Sequence, residues 1–223
     1  EVELAIASDF LMYVDYNQDV TQVEDHNITV MNNVATNWDN EFNNELQFII
    51  VTQFVSTCSS CDPWTGSTSA GTLLGSFRSW GNSNGFGVSF DLGQLWTDRN
   101  LDGSTIGIAY IDGVCTSFKY HVLQDFSTNA NLLRVLTSHE IGHNFDALHD
   151  PPNSGFIMAP SVNNTNLWSS ASISDINATI NQRAGSCFAE CSSGLPPSAE
   201  FTSDVTSGCV PLTEAHPVYP SAR

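Results

Sequence analysis

His139, Glu140, His143 and His149 stand within eleven residues of one another in a chain of 223 residues that holds six histidines. On an α-helix, residues four apart share a face, so His139 and His143 present two imidazoles side by side. Neutral imidazoles so placed bind a divalent cation, zinc above all, and Glu140 beside them can take a proton from water on the metal. His149 lies six residues past His143, too far to share the face if the helix ran straight on. If the helix stops near Asp146 and the chain turns back, His149 becomes a third ligand and a fourth position stays open for water. The plainer alternative is a chance grouping of surface histidines. The third histidine at this offset, with a glutamate at the one useful place, argues against it.

In full, His139-Glu140-Ile141-Gly142-His143-Asn144-Phe145-Asp146-Ala147-Leu148-His149 resembles the H-E-x-x-H-x-x-G-x-x-H signature of the metzincin zinc endopeptidases. Phe156-Ile157-Met158-Ala159-Pro160 is similar to the methionine-containing turn that follows it. Asp150 directly after the third histidine, and Pro160 two residues after Met158, are similar to the adamalysin/reprolysin branch. Gly103-Ser104-Thr105-Ile106-Gly107-Ile108-Ala109-Tyr110, then Gly113-Val114-Cys115, resembles that branch's segment ahead of the active-site helix. The resemblance covers about residues 1–190. One position departs: the motif's glycine is Asp146. Glycine adopts positive φ without steric cost, and aspartate is among the next most tolerant residues, at about 1 kcal/mol. The turn is therefore expected to form. Ligation by Asp146 itself is the competing role, which its spacing suits less well.

The resemblance implies a secreted zinc endopeptidase with a mixed α/β fold. A twisted, mostly parallel sheet with backing helices would lie above a cleft, the active-site helix beneath it, and a small C-terminal helical subdomain below. Zinc on His139, His143 and His149 would activate water, Glu140 would act as general base, and Met158 would form an apolar floor under the metal. Residues 159–162 would wall the pocket for the side chain just after the cut. An extended substrate is expected to add as a strand along residues 88–97. The resemblance also implies a Cys115–Cys187 disulfide and a structural Ca2+ held by Glu3, Asp91, the Cys187 carbonyl and Glu190. A catalytically dead binding module of the same fold is the rival reading, but dead relatives usually lose the glutamate or a ligand, and this chain keeps all four.

Composition narrows the partners. Six Lys+Arg against 24 Asp+Glu give a net charge of −18, so nucleic-acid phosphate and anionic membrane surfaces are poor partners. The expected partner is a protein or peptide substrate, met by a monomer. No apolar run is long enough to span a membrane. No leader-like segment opens the chain, and Glu1 is expected to be a processed terminus. Six cysteines suit an oxidising compartment. Cys58-Ser59-Ser60-Cys61 reads as a small loop disulfide; a redox pair wants a helix start, and no second C-x-x-C is near to complete a zinc site. Cys191 and Cys209 pair by elimination. Asn27-Ile28-Thr29, Asn163-Asn164-Thr165 and Asn177-Ala178-Thr179 are glycosylation sequons. Asp98-Arg99-Asn100-Leu101-Asp102-Gly103 matches the opening of a calcium loop, but its twelfth position is Ala109, so a polar turn is expected. His26, His121 and His216 have no partners at ligand spacing and read as ordinary surface or core histidines.

The elements that must carry these groups follow from periodicity. Val2, Leu4 and Ile6 alternate as a first strand. Residues 27–42 place Val30, Met31, Val34, Trp38 and Phe42 at helical spacing, and residues 46–52 form a second strand. Residues 58–84, rich in Ser, Gly and Thr, read as loop with a strand at residues 73–77. Strands are expected at 88–97 and 106–111. The active-site helix is expected to be capped at Ser127 and Thr128 and to bury Leu132 and Leu136. A final helix is expected from Ser172, with Asp175 as capping-box partner, ending at Gly185. The catalytic domain is expected over residues 1–190. Residues 191–223 read as a linker and the truncated start of a PKD-like β-sandwich module, since about 30 residues cannot complete such a sandwich.

Overall fold

The computed structural model describes residues 1–42 and 46–189. In chain order its elements are β1 (Val2–Ser8), α1 (Phe10–Asp15), α2 (Val20–Phe42), β2 (Phe48–Val55), α3 (Ala70–Asn82), β3 (Leu92–Thr97), β4 (Gly107–Ala109), β5 (Tyr120–Gln124), α4 (Ala130–Asn144) and α5 (Ser170–Arg183). The sheet runs in the order β2-β1-β3-β5-β4. All pairings are parallel except β4 on β5, which is antiparallel. This is the mixed α/β architecture expected.

Successive side chains of a strand point to opposite faces, and both faces of this sheet are covered. Leu4 and Ile6 of β1, Leu92 and Trp96 of β3 and Leu123 of β5 join an apolar cluster with α2, α4 and α5. Ala5, Ala7, Leu95, Tyr120 and Val122 point the other way, against Leu73, Leu74 and Phe77 of α3 and against Trp64. On the first side, Trp38 of α2 touches Phe145, at the end of α4, and Trp168, just before α5, with ring centroids 5.4 and 5.2 Å apart. Aromatic contacts of this kind add to area burial and hold α4 against the sheet.

Several sequence expectations need correction. Residues 73–77 are not a strand but part of α3, with Leu73, Leu74 and Phe77 buried along one helical face. The stretch Tyr120–Gln124 is an unanticipated strand, β5, paired with both β3 and β4. Helix α4 is capped by Asn129, whose side chain accepts from the Asn131 N–H, not by Ser127 or Thr128. It buries Leu133 and Leu136 rather than Leu132. Helix α5 starts at Ser170 behind Ser169, whose side chain accepts from the Ser172 N–H, so Asp175 is not its capping partner. Asn27 is buried and donates to Ser8 Oγ and Gln53 Oε1 at 3.1 and 2.8 Å, so its sequon is closed to a glycan.

Disulfides Cys58–Cys61 and Cys115–Cys187 are both formed; Cys191, Cys209, His216 and the PKD-like segment lie outside the described residues. The second bridge spans 72 positions and the first 3. Loop-closure entropy grows with span, so breaking Cys115–Cys187 is expected to cost about 4 kcal/mol and breaking Cys58–Cys61 about 2. Urea unfolding of the two double-alanine variants checks the order, and a larger loss for the short bridge would contradict it.

Candidate active site

Helix α4 sets His139 and His143 one turn apart, and Phe145 ends it by donating its N–H back to the Ile141 and Gly142 carbonyls. Asp146 then takes φ 72°, the left-handed turn that the sequence required, and the chain doubles back. His149 Nε2 comes to 3.1 Å from both His139 Nε2 and His143 Nε2. A bond of His139 Nδ1 to the Ile157 carbonyl and one of His143 Nδ1 to the Ala147 carbonyl, each 2.8 Å, fix those rings. A carbonyl only accepts, so both Nδ1 atoms carry the proton and both Nε2 atoms offer a lone pair. Burial depresses both imidazole pKa values, that of His139 to about 4, which keeps the rings neutral. With the Nδ1 tautomer at His149 as well, three lone pairs converge on one point, an arrangement that a cation between them would satisfy. The donor set therefore fits zinc.

Glu140 points into the same cleft, 4 % exposed, and its Oε2 is buried with no hydrogen-bond partner. Burial pushes its carboxyl up to about 8; a cation beside it would pull the value back down. Against the carboxylate lies β4: a Cβ on Gly107 would overlap Glu140 Oε1 and come within 2.8 Å of Leu136 Cδ1. Any larger residue at 107 would make the carboxylate shift from this position. The cleft, about 650 Å³, is lined by residues 104–109, by Ile111, Phe126 and Leu136, by the three histidines and Glu140, and by residues 159–162.

The Reprolysin (M12B) zinc metalloprotease model matches residues 2–191. The chain belongs to the reprolysin family.

The same chain is similar to a zinc metalloproteinase-disintegrin-like protein of Cerberus rynchops, 28% identical over 154 residues, which are 68% of this chain and 24% of that one. It is also similar to the snake venom metalloproteinase trimerelysin-2 of Protobothrops flavoviridis, 30% identical over 151 residues, 67% of this chain and 73% of that one. The matched part thus spans about a quarter of the first relative's length. Among solved structures, one titled as a chaperone-substrate complex shares the fold, with a TM-score of 0.61 and 14% identity over 81% of this chain and 34% of that one.

In this reprolysin Met158 is fully buried, and a Cβ on Gly142 would lie 2.6 Å from its sulfur. Met158 thus packs on the helix between the two ligand-bearing turns. The Asp150 N–H donates to the Met158 carbonyl at 2.8 Å, joining the third-histidine segment to the methionine turn. Pro160 is exposed on the cleft wall. Gly107 and Gly142 were not legible as site residues, because a glycine carries no chemistry in a sequence and its role here is the space it leaves.

Two expectations fare differently. Residues 88–97 cannot receive a substrate strand, since β3 lies inside the sheet with β1 and β5 on either side. The strand beside the cleft is β4, which among the described residues pairs only with β5. Of the four calcium residues, Glu3 and Cys187 meet Asp91, but through other atoms than the expected ligands: the Glu3 N–H donates to Asp91 Oδ2 at 2.9 Å, and Cys187 Sγ lies 3.1 Å from Asp91 Oδ1. Glu190 lies outside the described residues. Lys119 already brings a positive charge to Asp91 and Glu3.

Asp146 also yields a measurable consequence. Asp146→Gly relieves about 1 kcal/mol of left-handed strain, which for a domain of this size raises Tm by roughly 2–4 °C. Zinc affinity should not change. A drop in Tm measured by calorimetry would show that the aspartate holds the turn by some other means.

Proposed function

We propose that this chain is a secreted zinc endopeptidase that cuts internal peptide bonds, with Glu140 as its general base. The observation that carries this reading is the meeting of three imidazole Nε2 atoms beside one buried carboxylate in an open cleft. His139, His143 and His149 would hold the ion. When bound, zinc supplies Lewis-acid polarisation of water and of the scissile carbonyl.

The rest belongs to the chain's own groups. An extended peptide aligns along the outer edge of β4, where main-chain pairing gives affinity independent of sequence. Ile106, Phe126, Leu136 and Val162 give the cleft an apolar recess next to Glu140, suited to an apolar side chain just after the cut. Glu140 removes the proton of the attacking water, holds it on its carboxylate, whose Oε2 no other group among the described residues engages, and delivers it to the departing amide nitrogen. Ile157 and Ala147 orient two of the rings through their carbonyls, and Met158 keeps water from the underside of the helix.

The two disulfides and the venom origin printed for one relative support secretion. No described helix is long and apolar enough to cross a membrane. Residues 1–190 are proposed as the catalytic unit. Calcium at Glu3, Asp91, Cys187 and Glu190 is retained as a proposal in which Ca2+ must compete with Lys119.

The test is digestion of casein by zinc-loaded protein, with products read by mass spectrometry. Internal cleavage should stop with a chelator and return on adding zinc. Cleavage that continues unchanged in chelator, or folded zinc-loaded protein that leaves casein intact, removes the reading.

A further inference from the structure

His121 is wholly buried in β5, and Gln94 is its register partner in β3. Both lie on the sheet face that α4 covers: His121 shares its side with Leu123, and Gln94 with Leu92 and Trp96. The ring bridges two amides, with Nδ1 2.8 Å from Asn144 Oδ1 and Nε2 3.0 Å from Gln94 Oε1. Asn144 is the last residue of α4 and follows His143 directly.

The donors and acceptors can be assigned one by one. Asn144 Nδ2 donates to the Tyr110 carbonyl at 2.9 Å and the Tyr120 carbonyl at 3.3 Å, which fixes its amide and leaves Oδ1 to accept from His121 Nδ1–H. Burial holds the imidazole pKa down at about 4, so the ring is neutral and Nε2 carries a lone pair. A carbonyl oxygen is the wrong partner for a lone pair, while Gln94 Nε2 is buried without any partner. Turning the Gln94 amide over sets that donor against His121 Nε2, and amide orientation follows the hydrogen-bond network. The result is a directed chain: Gln94 donates to His121, His121 to Asn144, and Asn144 to the carbonyl of Tyr110, one residue past β4.

Backbone bonds fasten the same corner. The Asp112 N–H donates to the His143 carbonyl at 3.0 Å and the Val114 N–H to the Asn144 carbonyl at 3.1 Å. Apolar packing alone is non-directional and permits a helix to slide on a sheet. A buried, satisfied polar chain specifies one register.

We propose that His121 is a positioning residue that sets the register of the end of α4, and with it His143, against the strand beside the cleft. The inference rests on the zinc-protease reading, because it concerns how the metal ligand is held. His121 touches neither the metal ligands nor the substrate. It acts through Asn144.

The experiment compares His121→Leu, which breaks the chain, with His121→Gln, whose amide N–H can still reach Asn144 Oδ1. Leu73→Ala serves as control, a cavity in the apolar cluster on the far face of the sheet. Metal-free protein is titrated with Zn2+ and with Co2+, whose visible absorption reports ligand geometry, and kcat and KM are measured separately. Groups that orient a metal ligand typically change metal affinity 10–100-fold. His121→Leu should weaken zinc by about that factor, shift the Co2+ spectrum and lower kcat with little change in KM. His121→Gln should recover most of the loss, and Leu73→Ala should bind metal like the parent.

Parent-like zinc affinity and Co2+ spectrum in His121→Leu, or an equal loss in Leu73→Ala, overturn the proposal. If His121→Leu does not fold, Gln94→Leu breaks the same chain from its far end, with the same expected and overturning results. Should the parent itself bind no zinc, the protease reading falls with it. A parent that binds zinc beside an unaffected His121→Leu removes this proposal alone.

Discussion

Glu140→Gln lowers peptide hydrolysis by about a hundred- to ten-thousand-fold, the range that general-base catalysis contributes, and leaves zinc bound. The substitution keeps the shape of the side chain and removes its basicity. No substitute stands by: Glu140 is the only carboxylate among the described residues that line the cleft. A second outcome accompanies the first. Glu140 Oε2 is buried without a partner and the carboxyl is pushed up to about 8, so above the ordinary carboxylate range the metal-free parent folds at the cost of taking up a proton, and at neutral pH the metal-free Glu140→Gln variant should melt at a higher temperature. Single-turnover kinetics at matched zinc content measure the first effect and calorimetry the second. Retained hydrolysis within about tenfold of the parent would show that proton transfer at this site is worth less than any established general base and would exclude Glu140 from that role.

Gly107→Ala comes next in size, with kcat expected to fall about a hundredfold, the cost of a 1 Å misplacement of a catalytic group. Gly107 is not among the residues with positive φ, so alanine suits the backbone. The added methyl, however, would overlap Glu140 Oε1 and come within 2.9 Å of Glu140 Cδ. Leu136 closes the other side, at 2.8 Å from the same methyl. The carboxylate is the freest of these groups and must move. A double-mutant cycle isolates the effect: in the Glu140→Gln background, Gly107→Ala should cost little further activity. An equal loss in both backgrounds would mean that alanine harms substrate pairing on β4 and not the base.

The readable part of the site was the part made of chemistry. His139 and His143 announce a helix by their spacing, and His149 with Asp146 announces a turn, which the φ of 72° at Asp146 bears out. Space and order were harder to read. In α3, Gly71, Gly75, Ser76 and Ser79 lend the segment a loop-like composition, although Leu73 and Phe77 keep helical spacing on the buried face. Strand β5 is five residues, Tyr-His-Val-Leu-Gln, too short for alternation to stand out. Because β5 was missed, the edge of the sheet was assigned to the wrong strand. Sheet order is not chain order: β4 precedes β5 in sequence yet lies outside it. His121 looked ordinary because its partners, Gln94 and Asn144, are neutral amides 27 and 23 positions away.

The sheet separates two apolar clusters, and only the one with α2, α4 and α5 touches the histidine-bearing helix. Changes behind the sheet, around Leu73 and Phe77, are therefore expected to act first on how long the molecule survives, and to reach the cleft where Ile108 of β4 packs on that rear cluster. A lineage selected for heat tolerance has most of that rear half to explore, whereas one selected for a new cleavage preference must work at the front, where each adjustment also disturbs the histidine-bearing helix.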